Sequence, residues 1–372
     1  MSKSEEAIQL IRSCFGSNGV WASSARYKNQ CWTRDFCLAT SHLLMLDGNL
    51  KNLDLAEKHL INIADRQGKD GKIPILYLDS EQEFIEDKKK RTQESGKMSF
   101  MLQRHLAGQL ENLTPHTRDS EVLFIITVDR FLKNHPAVAE KTRKKLKDCS
   151  ENALKYVETI LDKEHHLIPG ADWRDTRLDL NDKTVLTNAC LLFNAYSILG
   201  YILKAENVRK SIRSIFWNGK FFRDYPGCEN FDILGNSLVV LYDIADEEQK
   251  DRIFKESLLL QTPFGFKMTD TFLPALDQNE KLIMDRDKAV IWPFTNGFLI
   301  LAMILKGDKF WPDIAEDMIS RWEKLKGFYE WYDIKEGNGY GSPNQIWSAA
   351  LYLRCQEVLK IIKMKNNHLQ FI

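Results

Sequence analysis

Apolar positions recur at helical spacing along nearly the whole chain. In "VIWPFTNGFLILAMIL" the residues Phe294, Phe298, Leu301 and Leu305 stand at steps of four, three and four, which places them on one face of a helix. The run "LGNSLVVLYDIADEEQKDRIFKESLLL" reads as a helix, a short turn at 245–246 and a second helix. Asp246, Glu247 and Glu248 suit the positive N-terminal end of that second helix. "HPAVAEKTRKKLKDCSENALKYVETIL" reads as one long amphipathic helix whose Lys/Arg run is a solvated face. Strand-like alternation is scarce, and "GKIPILYLDS" is one short candidate. The pattern as a whole predicts roughly a dozen helical segments.

The connections are of two kinds. Some are short and polar; others, at 19–34, 170–183, 224–231 and 327–346, are long and rich in Trp, Asp, Arg and Gly. Helix pairs stacked around a ring, with one plain rim and one functional rim, account for both. The expected fold is therefore all-α, a single (α/α) barrel. A plain α-solenoid would show a tight sequence repeat, and none is found. The polar segment 81–112 stands apart, since its first half is highly charged and has no aromatic residue after Phe84. It reads as a mobile lid or insertion within the barrel, or as plain disorder.

Composition narrows the function classes. The chain has 372 residues, 44% apolar and 28% charged, enough for a large core under a polar surface. Lys plus Arg equals Asp plus Glu at 52 each, which argues against a nucleic-acid partner, because that needs a basic face. Aromatic residues are interleaved with acids more than with bases, the wrong pattern for a phosphate groove. The seven cysteines, at 14, 31, 37, 149, 190, 228 and 355, include no C-x-x-C pair, so neither a disulfide framework nor a zinc site is suggested. A reduced compartment follows. The N-terminal sequence has no apolar signal core, and no apolar run approaches ~18 residues, so a cytoplasmic protein without a membrane partner is expected.

Three stretches carry candidate chemistry. In "CWTRDFCLA" the residues Trp32, Arg34 and Asp35 precede an apolar helix. An Arg–Asp pair beside an indole can bind the hydroxyls of a sugar while the ring covers its apolar face. An ion pair at a helix end beside a buried Trp is the plainer alternative. "LIPGADWRDTRLD" crowds three aspartates, two arginines and Trp173 into one loop. An acid beside an aromatic wall can have its pKa raised and can then protonate a leaving oxygen. Arg177 and Asp179 read as a surface ion pair, and Asp175 as the functional acid. Asp172 remains an alternative, because two aspartates flank Trp173.

"YEWYDIKEGNGYGSPNQIW" supplies a second carboxylate. Glu330 follows Gly327, where a helix over 321–326 is expected to end, and it alone has aromatics on both sides. Asp333 and Glu336 compete with it, the latter in what reads as an exposed turn between Lys335 and Gly337. Residues as distant in sequence as 175 and 330 meet only if the ring closes. Paired acids are what glycoside hydrolysis requires: a separation of ~6.5–9.5 Å admits a water and inverts configuration, and ~5–5.5 Å retains it.

These blocks, in this order, resemble the six-hairpin glycosidases, nearest to the alkaline/neutral invertases and the amylo-α-1,6-glucosidase-like domains of debranching enzymes. "WTRDF" is similar to the invertases' W-[IV]-R-D-F, and "RDSEVLF" around Asp119 to D-S-x-L-W. "WRDTR" resembles the elements that carry the general acid, and "FDILGNSLVVLYDIADEEQ" a helix pair with L-G-N at its start. "EWYDIKEGNGYGSPNQIWSAALYL" is similar to E-Y-Y-D-G-K followed by a Q-T-W-S helix start. The blocks span 32–353.

The resemblance implies a single (α/α)6 barrel over 1–372, with functional loops on one rim, and an inverting glycosidase that acts on a small glucoside or disaccharide. It implies no metal or cofactor and a small carbohydrate as partner. Asp175 would be the general acid and Glu330 the general base. Trp32, Arg34, Asp35 and Asp119 would line the subsite of the cleaved sugar, with Trp173 beside the acid. Trp292, Gln345 and Trp347 would complete the bowl. Two positions depart from the pattern: Leu186 stands where a glutamate is usual, and Phe124 where a tryptophan is usual. Both bear on sucrose specificity, and both also suit a degenerate homologue that binds a sugar or a partner. A sugar epimerase in the same barrel would need histidine bases; His42, His59, His105, His116, His135, His165, His166 and His368 all lie outside the rim motifs.

Overall fold

The helical periodicity is realised as two concentric rings. The computed structural model describes residues 1–44, 51–269, 290–307 and 310–369. Among the described residues the inner ring comprises the helical run 33–44 and the helices Ser120–Asn134, Leu186–Ile198, Ile233–Leu241, Pro293–Leu305 and Ile346–Leu369. Each packs on the next, and the last packs back on Phe36–Thr40 of the first, which closes the ring. Outside them lie Lys3–Ser13, Leu53–Asp65, Glu140–Ile160, Ile202–Ile215, Glu247–Ser257 and Phe310–Glu323, each against an inner helix. The fold is an all-α barrel.

The two rings differ in sequence because they differ in surroundings. An outer helix buries one stripe: Glu140–Ile160 buries Leu146, Cys149, Ala153, Leu154 and Val157, while Lys141, Lys144 and Lys147 are exposed. An inner helix has neighbours on all sides. Pro293–Leu305 accordingly buries Thr295, Asn296, Ile300 and Met303 along with Phe294, Phe298 and Leu301. The single apolar face expected for it is corrected on two counts: the burial runs all round, and Leu305, at the C-terminal end, is exposed.

Caps set the boundaries. The Asp246 side chain accepts from the Gln249 N–H, and Gln249 reaches back to the Asp246 N–H, so Glu247–Ser257 starts at a capping box. The turn before it lies at 242–245, earlier than expected, because Asp246 is the cap. The helix expected over 321–326 is Phe310–Glu323, and a turn separates it from Gly327, whose φ is 63°.

The four long loops share one rim for a topological reason. Each leads into the N-terminus of an inner helix: 19–34 into the first, 170–183 into Leu186–Ile198, 224–231 into Ile233–Leu241 and 327–346 into Ile346–Leu369. The candidate strand is Leu76–Leu78, antiparallel to Gln30–Trp32, with Trp32 opposite Leu76. The segment 81–112 is not disordered. It forms the helices Glu81–Ser95 and Phe100–Leu106, with Ser80 capping the first and Gly96 ending it in the left-handed region at φ 68°. All seven cysteines are buried and unpaired. No helix among the described residues is long and apolar enough to cross a membrane.

Candidate active site

The functional rim opens into a cavity of about 210 Å³. Trp32, Arg34 and Asp35 line it from the first inner segment, Trp173 and Asp175 from the 170–183 loop, and Glu330, Trp292, Gln345 and Trp347 from the far side. Asp175 and Glu330 therefore face one shared space. Asp119 is the exception among the predicted residues and corrects the expectation that it lines the subsite. It is buried behind Arg34, whose Nε and Nη2 both donate to its carboxylate, the latter at 3.2 Å.

The 170–183 loop is pinned by a buried guanidinium. Arg174 donates to Asp172 through Nε (2.8 Å) and Nη2 (2.9 Å), and to Asp224 through Nη1 and Nη2 (2.7 Å each). Burial alone would raise the Asp172 pKa, but the charge and hydrogen bonds of Arg174 hold it below the ordinary value. Asp172 is thus an engaged, fully buried carboxylate that does not line the cavity. Asp175 is the aspartate that reaches the cavity. Its side chain is 26% exposed, its Oδ2 lies 3.5 Å from Arg34 Nη1, and its carbonyl oxygen accepts from His116 Nε2 at 2.8 Å. Arg177 and Asp179 pair with each other at 2.7 Å as expected, but Arg177 is buried, so the pair is not the surface one the sequence suggests.

Glu330 sits on a small sheet where the sequence reads only as a connection. Strand Trp331–Asp333 pairs with Gly339–Tyr340 on one side and Val290–Ile291 on the other. Glu330 precedes the central strand and Trp292 follows its partner, so the pairing brings the two together. Tyr332 is buried, and its hydroxyl accepts from the Tyr329 N–H (2.9 Å) and donates to the Gly327 carbonyl (2.8 Å). Asp333 shapes the turn by accepting from the N–H groups of Lys335, Glu336 and Asn338. Slight burial would raise its pKa, but these backbone donors lower it. Glu336 is exposed. The Glu330 carboxylate accepts from the Ser342 N–H at 2.8 Å and from the Tyr27 hydroxyl at 3.3 Å. Burial raises its pKa, while Ser342, Arg26 and Tyr27 oppose the rise. Gly341 is required beside it: φ is 76°, and a Cβ there would overlap Glu330 Oε2.

The floor is aromatic. Trp173 meets Trp292 edge-on at 5.0 Å and Phe294 at 4.7 Å, and Phe294 stacks on Trp347 at 4.3 Å. The indole N–H groups of Trp173 and Trp347 and the Gln345 Oε1 are buried without hydrogen-bond partners among the described residues. Such atoms mark a place that a polar ligand or water completes. Gln345 Nε2 donates to Asp35 Oδ1 at 2.8 Å. Burial pushes the Asp35 carboxyl up to about 8, with Arg34 opposing and Glu330 and Asp175 adding to the rise. An apolar floor edged by fixed donors and acceptors suits a pyranose ring.

The sequence reading missed Arg26, Tyr27 and Thr176 in the wall. Arg26 and Tyr27 lie inside the 19–34 loop but follow no spacing that separates them from neighbouring polar residues. Leu186 and Phe124, where the resemblance breaks, are both fully buried and outside the cavity wall. No described histidine lines this cavity. His59 is stacked on Phe36 at 3.8 Å in the core, and the side chains of His42 and His368 lie outside the described residues.

No family model and no curated protein sequence matches the chain. Solved structures do. The chain is similar to a wild-type glycosidase at a TM-score of 0.65 and 10% identity, over 96% of both chains. It is similar to the GH63 mannosylglycerate hydrolase of Thermus thermophilus in complex with glucose, at a TM-score of 0.65 and 12% identity, over 94% of this chain and 99% of that one. The same hydrolase in complex with Tris and D-glycerate aligns at a TM-score of 0.62 and 12% identity, over 95% and 100%. At these identities the likeness is one of fold: the chain shares the helical barrel of these proteins over nearly its whole length.

Proposed function

We propose that the protein is an inverting glycoside hydrolase acting on a small glucoside or disaccharide. The observation that carries this is the convergence of Asp175 and Glu330, from separate loops, on one cavity floored by Trp173, Trp292 and Trp347. The fold neighbours that are named glycosidases agree with it. In the proposed reaction the sugar lies on the indoles, and Arg34, Asp35 and Gln345 bind its hydroxyls. Asp175 gives its proton to the leaving oxygen as the bond from that oxygen to the anomeric carbon breaks. Glu330 takes a proton from the water that attacks the same carbon from the opposite face. Arg34, beside Asp175 and held by Asp119, then stabilises the aspartate left behind. Asp119 acts through Arg34 and has a positioning role.

The direct test is incubation of the purified protein with sucrose, trehalose, maltose, isomaltose, glucosylglycerate and aryl glucosides. Sugar release from at least one is expected, and release from none contradicts the proposal. Proton NMR of the first-formed anomer reads the stereochemistry.

Two further outcomes follow from the Glu330 site. A base must be ionised, and burial raises the pKa of this one. The acid limb of kcat/KM is therefore expected above the ordinary glutamate value of ~4.3. Tyr27→Phe removes a hydrogen bond that favours the ionised form, so it should move that limb to higher pH; a pH profile of the two proteins checks the sign. Gly341→Ala should displace the carboxylate and lower kcat by up to ~10²-fold with the thermal transition largely kept, because small misplacements of reacting groups cost that much.

A further inference from the structure

Asp175 is held by its backbone more than by its carboxylate. Among the described residues its side chain has one cation at ion-pair distance, Arg34 Nη1 at 3.5 Å, which is beyond hydrogen-bond range. Arg174 pins the loop only up to the residue before it. The Arg177 N–H donates to the Arg174 carbonyl at 2.9 Å, so Asp175 and Thr176 are the two central residues of a turn. The peptide between such residues is the one a turn can reverse: ψ of the first differs by ~150° between type I and type II turns. Here that peptide has an outside partner. A carbonyl oxygen only accepts, so the 2.8 Å contact between His116 Nε2 and the Asp175 carbonyl places a proton on Nε2. The bond fixes ψ of Asp175, and with it the direction of the Cα–Cβ bond that carries the carboxyl group.

His116 can do this because its own segment is splinted to the start of the same loop. The Ala171 N–H donates to the His116 carbonyl at 3.1 Å and the Arg118 N–H to the Ala171 carbonyl at 2.9 Å, which bridges 117 and 171 in parallel. Thr117 closes the turn before it, its N–H donating to the Thr114 carbonyl at 3.0 Å and its hydroxyl at 2.8 Å. Gly170 admits the close approach. Its φ is 119°, and a Cβ there would meet the His116 carbonyl at 2.8 Å and Arg118 Cγ at 2.6 Å. His116 therefore grips the acid loop on both sides of Trp173, through its backbone at Ala171 and through its half-buried ring at Asp175.

We propose that His116 is a positioning residue, whose Nε2–H holds the 175–176 peptide so that the Asp175 carboxyl group points at the leaving oxygen. This role rests on the reading of Asp175 as general acid. His116 itself meets no reacting atom and acts through Asp175 alone, which separates it from a residue that only supports folding. The donor matters and the ring does not. His116→Gln, which keeps a donor of similar reach, should keep most of kcat. His116→Phe, which keeps a ring and loses the donor, should lower kcat by ~10–10²-fold, the scale on which a misplaced reacting group is felt. The loss should fall on kcat with KM little changed, because other residues bind the sugar. It should also shrink along the series methyl, phenyl and para-nitrophenyl glucoside, as the leaving group needs less protonation.

The test is a double-mutant cycle of His116→Phe and Asp175→Asn on a glycoside that the wild-type protein turns over, with His116→Gln and the leaving-group series beside it. Once the acid is an amide, His116→Phe should cost almost nothing more, because the two residues act as a unit. His116→Leu, smaller and equally without a donor, repeats the comparison if the Phe variant does not fold. Full activity in the Phe and Leu variants overturns the positioning role. So does a Gln variant as slow as they are, or a loss that is equal for all leaving groups and additive with Asp175→Asn. Each of these results leaves the hydrolase reading standing. Wild-type activity in Asp175→Asn overturns the acid assignment and the role of His116 with it. Turnover of no glycoside by the wild-type protein overturns the hydrolase reading and this role together.

Discussion

Asp175→Asn and Glu330→Gln are each expected to lower kcat by about 10²–10⁴-fold, the range that a positioned acid or base contributes. Both replacements keep shape and remove proton transfer. Asp175 is partly exposed and pairs with Arg34, so an amide there disturbs little packing. Glu330 is held through acceptor oxygens by Ser342 and Tyr27, and an amide oxygen can keep the backbone contact. The two variants should differ in a diagnostic way. An aryl glucoside with a good leaving group needs little protonation, so it should rescue the Asp175 variant more than the Glu330 variant. A loss below ~10-fold in both would remove these carboxylates from the mechanism.

Arg174→Leu should cost about 3–5 kcal/mol of stability, because it strands two buried carboxylates. The side chains of Asp172 and Asp224 are 0% and 4% exposed, and Arg174 is the cation bonded to both. Urea unfolding reads the loss. Replacing all three residues by apolar ones should recover part of it, since a buried pair removed whole is often neutral. The pH dependence gives an independent check. Asp172 is held below its ordinary pKa, so its contribution to wild-type stability is present above about 3.9 and lost as pH falls through the lower folded value. The variant should lack that acid-side loss. Because Asp175 follows Arg174 directly, kcat should fall as well, even at temperatures where the variant is folded.

Much of this architecture is legible in the sequence for specific reasons. The stripe of an outer helix such as Glu140–Ile160 reads directly from its spacing, whereas the inner helix Pro293–Leu305 reads as one-faced although its burial runs all round. The rim loops announce themselves because acids and aromatics crowd where helices break. Depth is what the motifs do not encode. Asp119 and Asp35 read alike, yet one backs Arg34 and the other reaches the cavity. Arg174 reads as a partner of its neighbours, while half of its side-chain hydrogen bonds go to Asp224, on a different loop. The sheet beside Glu330 uses strands of two and three residues, too short to show alternation. The excursion 81–112 hides its helices because little more than Phe84 and Leu102 anchors them by burial.

At the root of the account is a sugar held between two acids that approach it from different loops. The most direct measurement is a crystal structure of the Glu330→Gln protein soaked with glucose or a deoxynojirimycin-type inhibitor. The ring should rest on Trp173, Trp292 and Trp347, with its anomeric carbon between the side chains at 175 and 330 and those side chains ~6.5–9.5 Å apart. A sugar bound away from this cavity, or one whose anomeric carbon faces neither position, would contradict it.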